Sequence, residues 1–325
     1  MKQNFLSRAM LAREYDTEEI DELYAISHDQ ERIMNPENNL LVELIVGNDK
    51  TPWDGKLEIP SWEQGLTIDL YVYRPATQAD SPLPLIYFTH GGGYIMGDAH
   101  MQGAVLKDLA ERNQAVVVSV EYRIATIAPF PADVKDAYCG LEYVSDHAQE
   151  LGIDRSRIVV MGESAGGGLA ARLALYNRDR GRVSISGQVL VYPMLDCRTG
   201  GPESVSNNPF AGEMVWTREL NQLGWTTLKG RQDIAPEDLP YYSPALASDL
   251  SRLPRAFVIV GNMDLFVDED IAYAERLMNS GIPTELYVIP GVYHAFDMAK
   301  PASPQTGMYR TLRTAAIRQM FSKEQ

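Results

Sequence analysis

The stretch "RIVVMGESAGGGLAARLALYNR", residues 157–178, constrains the fold of this chain more than any other. Ile158, Val159, Val160 and Met161 read as a buried strand, and the Ala- and Leu-rich run after Ser164 reads as a helix. A strand that passes into a helix with no linker between them belongs in a parallel sheet covered on both faces. Gly162, Ser164 and Gly166 form a G-x-S-x-G frame at the junction. The frame alone is common by chance, and its place between strand and helix gives it meaning. Small residues on either side let neighbouring strands pass, and the serine hydroxyl is left exposed at a helix N-terminus that favours negative charge. Ser164 is therefore a candidate nucleophile.

Much of the chain repeats that alternation. "LPLIYFTH" precedes a helix expected over about 99–112, and "AVVVSVEY" precedes one over about 132–149. "SGQVLVYPML", "RAFVIVGN" and "TELYVIP" supply further short apolar strands. Upstream, "LLVELIV" and "LTIDLYVYRP" read as strands, with Ile68, Leu70 and Val72 alternating with Thr67, Asp69 and Tyr71, as at the antiparallel start of a sheet. The first 40 or so residues look helical and amphipathic, with Ile20, Leu23 and Tyr24 at helical spacing and an acidic first turn in "DTEEIDE". Residues 197–250 differ. They are rich in Gly, Pro, Asn, Trp and Tyr and carry no strand run, and connections of that length are usually lids or small helical insertions. The expected architecture is a single α/β domain with one insertion.

Composition narrows the function classes. At 325 residues with 45% hydrophobic content a large core can form, and a net charge of −15 argues against nucleic acid or an anionic membrane as partner. The opening residues lack the apolar run of a signal peptide, and no apolar segment is long enough to span a bilayer, so a cytoplasmic location is the expectation. Cys139 and Cys197 show no metal-type spacing and are expected to be free thiols.

A serine hydroxyl needs a base to take its proton. Of the five histidines, His28 and His147 fall in polar surroundings and His100 begins the helix after the glycine loop. His294, in "YVIPGVYHAF", lies just beyond the last expected strand, at the carboxyl edge of the sheet where Ser164 also lies, and is the base candidate. "AFVIVGNMDLFVDED" offers Asp264, Asp268 and Asp270 as the orienting carboxylate. Asp264 follows the strand directly, whereas Asp268 is placed to cap the next helix, with Glu269 and Asp270 favouring its dipole. The order Ser164, Asp264, His294 is the order of an α/β-hydrolase. "HGGGY", residues 90–94, then gains a role, because acyl transfer builds negative charge on the carbonyl oxygen and aimed backbone N–H groups contribute about 3 kcal/mol each. Gly91 and Gly92, with Ala165 after the nucleophile, are the candidate donors; Gly93 permits the turn, and His90 anchors the loop. No phosphate-loop pattern is present.

Together "HGGGY", "YRIATIAPFPADVKDAY", "GESAGG", "YPMLD", "YYSPALA", "DLFVDED" and "HAF" resemble the hormone-sensitive-lipase-like esterases of the α/β-hydrolase fold, the bacterial family IV, over roughly residues 80–300. The resemblance implies a mostly parallel sheet with helices on both faces and a helical cap. It implies a cap of residues 1–45 and 197–245 over a core of 46–196 and 246–325. It implies Ser164, Asp264 and His294 as triad, Gly91, Gly92 and Ala165 as oxyanion hole, no metal or other cofactor, a small uncharged short-acyl ester as substrate, and a homodimer. Tyr94, Phe210 and Trp216 are candidate pocket residues. Four positions depart from the family pattern: Thr126 and Ile127 stand where Pro and Glu are common, Ala295 where Gly follows the histidine, and Glu163 where Asp or Thr is usual. Two other readings share the fold, a serine peptidase or amidase and a small-molecule receptor. The intact triad counts against the receptor, and nothing here resembles the large N-terminal domain of such peptidases.

Overall fold

Apolar runs such as Val116–Val120 and Ala256–Gly261 are buried along their whole length, which only the interior of a covered sheet provides. In the computed structural model, which describes residues 5–17, 19–33, 49–77, 81–205 and 208–322, these runs join one sheet. Its eight strands are β1 (Gly55–Pro60), β2 (Thr67–Tyr73), β3 (Leu83–Thr89), β4 (Val116–Val120), β5 (Ile153–Glu163), β6 (Gly187–Val191), β7 (Ala256–Gly261) and β8 (Thr284–Ile289). Their spatial order is β1-β2-β4-β3-β5-β6-β7-β8. β1 pairs antiparallel with β2 and β2 with β4, and every later pairing is parallel. The antiparallel start read from Ile68, Leu70 and Val72 is thus present. "LLVELIV" lies outside the described residues. β1 carries only Leu57 and Ile59 as an apolar face, too little pattern to mark it in advance.

The helices are α1 (Glu19–Ser27), α2 (Gln30–Ile33), α3 (Gly103–Asn113), α4 (Ala132–Asp146), α5 (Ala165–Arg180), α6 (Arg218–Lys229), α7 (Leu239–Tyr242), α8 (Val267–Asn279), α9 (Phe296–Ala299) and α10 (Pro304–Phe321). α3 starts later than expected, after an Asp98 turn whose carboxylate accepts the His100 N–H at 2.9 Å. The stretch between β6 and β7 is helical where it is regular, with α6 capped by the Thr217 hydroxyl. Asp268 does not cap α8. Phe266 holds that position, and Asp268 sits inside the first turn, because the Asp264 carboxylate already meets the Phe266 N–H at 3.0 Å.

α5 is buried on all sides from Ala165 to Asn177, so its only internal charge must be paired. The Arg172 guanidinium donates to Asp133 on α4 at 2.5 Å and lies 4.7 Å from the centre of the Tyr94 ring. That pair fixes the helix behind the serine. Among the described residues no helix is long and apolar enough to cross a membrane.

Candidate active site

The junction of β5 and α5 holds Ser164 at φ 58° and ψ −124°, a region a side chain avoids unless its surroundings dictate it. They do. The Ser164 N–H donates to the Val191 carbonyl at 2.9 Å, and the Ser164 carbonyl accepts from both Gly168 and Met194 at 3.0 Å. The glycine frame is a packing demand: a Cβ at Gly166 would lie 2.0 Å from the Thr89 carbonyl oxygen, and one at Gly162 would lie 2.2 Å from that of Gly166. No larger residue fits without separating the helix from the sheet.

Loops leaving β7 and β8 bring the next two side chains to the same edge. Asp264 is fully buried; its Oδ1 accepts from Phe266, and Oδ2 lies 2.7 Å from Nδ1 of His294. His294 Nε2 lies 2.8 Å from Ser164 Oγ. An Nδ1–H donated to the carboxylate leaves Nε2 as an acceptor for the serine proton. Edge contacts from the Tyr192 and Phe266 rings, at centroid distances of 4.8 and 5.2 Å, hold the imidazole in plane. Ala295 adopts φ 56°, so the left-handed position that suits glycine is occupied here by a strained alanine.

The glycine loop lies against the nucleophile: a Cβ at Gly91 would be 3.4 Å from that of Ser164. The Gly92 carbonyl accepts from both Ile95 and Met96 at 3.0 Å, closing a tight turn. Among the described residues no turn or loop hydrogen bond uses the N–H of Gly91, Gly92 or Ala165. His90 is a structural anchor. Its Nδ1 meets the Gly91 carbonyl at 2.8 Å, its ring stacks on Tyr122, and burial pushes its imidazole down to about 4, so it stays neutral. Gly93 leaves room for a neighbour, since a Cβ there would meet the Trp216 indole at 1.9 Å.

These groups enclose a cavity of about 70 Å³. Ser164, His294, Gly91 and Gly92 line it, and Trp216 roofs it. Tyr94 and Phe210 are not among its lining residues. Tyr94 is buried in the core, with its hydroxyl donating to the Met194 carbonyl at 3.0 Å, and Phe210 is 37% exposed. Met96, Met101, Gln102, Val215 and Met298 also line the cavity and carried no advance signal, because isolated residues in loops and in the four-residue α9 have no period to read. N-terminal residues hold the roof: Ser27 Oγ accepts the Val215 N–H at 2.8 Å, and Glu213 accepts the Ser7 N–H at 2.7 Å.

Comparison with known proteins bears on the fold and the class of enzyme. Residues 85–298 match a family model described as "alpha/beta hydrolase fold". The chain is 33% identical to a carboxylesterase, NlhH, of Mycobacterium tuberculosis, over 82% of this chain and 81% of that protein. It is 32% identical to an arylesterase of Saccharolobus solfataricus, over 81% of each. Among solved structures, a bacterial heroin esterase superposes with a TM-score of 0.77 at 32% identity, covering 87% of this chain and 89% of that one. A thermostable esterase from Pseudomonas putida superposes with a TM-score of 0.81 at 26% identity, covering 94% and 96%.

Proposed function

The chain belongs to the hormone-sensitive-lipase-like esterases of the α/β-hydrolase fold and is a carboxylic ester hydrolase, and from that premise we propose that Ser164, His294 and Asp264 carry the reaction on small, uncharged, short-acyl esters. One observation carries the assignment: the unbroken line Asp264–His294–Ser164, with contacts of 2.7 and 2.8 Å, ends at the mouth of the cavity.

In this mechanism Ser164 Oγ attacks the ester carbonyl while His294 Nε2 takes its proton. The carbonyl oxygen gains negative charge and is met by the N–H groups of Gly91, Gly92 and Ala165. His294 then returns the proton to the departing alkoxide, the C–O bond of the ester breaks, and the acyl group stays on Ser164. Water, deprotonated by the same imidazole, releases the acid. Asp264 keeps His294 in one tautomer and stabilises its charged form. The small cavity, in which methionine, valine and tryptophan outnumber the polar Gln102 and Glu163, supports a short, uncharged arm. Residues 1–45 and 197–245 act as the cap, a role supported by the Ser27 and Glu213 contacts among their described residues.

Ser164→Ala is expected to lower kcat on p-nitrophenyl butyrate by at least about 10⁴-fold with the fold intact by circular dichroism. Hydrolysis at the parent rate would remove the assignment.

A further inference from the structure

Among the described residues seven other than glycine have positive φ, and Val215, at 64°, is the one whose side chain is β-branched. Branching at Cβ makes that conformation a genuine outlier, which persists only where its surroundings impose it. The Trp216 N–H donates to the Met214 carbonyl at 2.8 Å, so residues 214–216 close a three-residue turn around Val215. A turn of this kind with positive φ at its centre is the rare, strained form, and the common form has negative φ.

Ser27, the last residue of α1, supplies the restraint. Its Oγ accepts the Val215 N–H at 2.8 Å and donates to the Leu23 carbonyl at 2.6 Å, so the hydroxyl proton points away from Val215 and a lone pair faces it. Ser27 is fully buried and Val215 is 2% exposed, and among the described residues the Val215 N–H has this one acceptor. A buried N–H left without an acceptor is costly, so the chain keeps the strained turn while Ser27 is in place. Other ties hold the segment on either side. The Gly212 N–H donates to the Met263 carbonyl at 3.1 Å, and Glu213 accepts the N–H groups of Leu6 and Ser7 at 3.1 and 2.7 Å. Trp216 Nε1 donates to Asn221 at 3.1 Å, and Thr217 caps α6.

Trp216 follows Val215 directly, so the turn decides where its indole lies. The ring fills the space that Gly93 leaves, where a Cβ would meet it at 1.9 Å. Gly93, Val215 and Trp216 all line the cavity, whose volume of about 70 Å³ is well below the roughly 300–1,000 Å³ of sites that take small molecules. An ester with two sizeable arms needs a wall to yield. A wall held in a strained conformation by one hydroxyl yields more readily than a floor of backbone packed on backbone.

We propose that Ser27 and Val215 set the size selectivity of this site. Ser27 holds the 214–216 turn in its strained form, which keeps Trp216 against the glycine loop, and relaxation of Val215 to negative φ withdraws the indole and admits larger esters. Ser27 is then a positioning residue that acts through Val215 and Trp216, a role that rests on the reading of Ser164 as the nucleophile of this cavity.

The test introduces Ser27→Ala into three backgrounds: the parent, Val215→Ala and Val215→Gly. In each, the kcat/KM ratio is measured with and without Ser27→Ala for p-nitrophenyl hexanoate over acetate, and for benzyl acetate over ethyl acetate. In the parent background Ser27→Ala raises at least one ratio roughly threefold or more. With Val215→Ala, which keeps a Cβ at positive φ, the rise persists. With Val215→Gly, where positive φ carries no penalty, the rise shrinks to less than about half, and the side chain at 215 is the same within each pair. No rise in the parent background, or the same rise with Val215→Gly as with Val215→Ala, would overturn the proposal. Melting temperatures give a second check that needs no activity. With Ser27 present, Val215→Gly melts above Val215→Ala, the reverse of the usual order for these two residues, and a glycine variant that melts no higher would also overturn it. An error in the reading of Ser164 shows in Ser164→Ala kinetics instead and leaves the melting order untouched.

Discussion

The floor and the roof of the catalytic cavity are built by different means. The floor comes from the loops after β3, β5 and β8, where backbone lies so close to backbone that side-chain choice is forced. A Cβ at Gly166 would sit 2.0 Å from a carbonyl oxygen, and the Ser164 backbone is fixed by three main-chain hydrogen bonds. The roof, Val215 and Trp216, is tied down by individual groups instead: Trp216 Nε1 donates to Asn221 at 3.1 Å, and the Val215 N–H donates to Ser27. Changes to the floor are therefore expected to cost the fold, and changes to the roof to alter which ester fits.

Three substitutions sharpen that contrast. Gly166→Ala gives the largest effect. The helix gains a better former, worth up to about 1 kcal/mol, but the new methyl meets fixed backbone, so a net loss above about 3 kcal/mol is expected in denaturant unfolding. A variant as stable as the parent would show that the floor can yield. Trp216→Ala is expected to cost about 3 kcal/mol or somewhat less, and to raise kcat/KM for bulky esters relative to acetate, read from an ester panel. An unchanged panel would mean that the roof does not select. Ala295→Gly has the smallest effect and the opposite sign. Removing a Cβ from a left-handed position is expected to stabilise by about 1 kcal/mol, and a lower melting temperature would contradict the strain assigned there.

The same contrast explains how much was legible in the sequence. Ser164, Asp264 and His294 each follow an apolar strand at a recognisable distance, and backbone packing demanded the glycines that flag the first of them. Such constraints leave a local trace. Gln102 and Val215 reach the cavity from loops and Met298 from the four-residue α9, and no spacing announces them. Tyr94 is a candidate pocket residue by sequence, yet its φ of 66° turns the chain and its ring is buried beneath Arg172. Asp268 had the composition of a cap, but the carboxylate of Asp264 had already met the Phe266 N–H. Residues 34–48, which hold one expected strand, lie outside the described residues.

The central claim is that Ser164 is the activated nucleophile, and covalent labelling tests it most directly. Treatment with a p-nitrophenyl alkylphosphonate should abolish esterase activity in step with one adduct per chain, found by peptide mass spectrometry on Ser164 and absent from the Ser164→Ala variant. Full inactivation with the adduct on another residue, or full activity with Ser164 modified, would contradict the account.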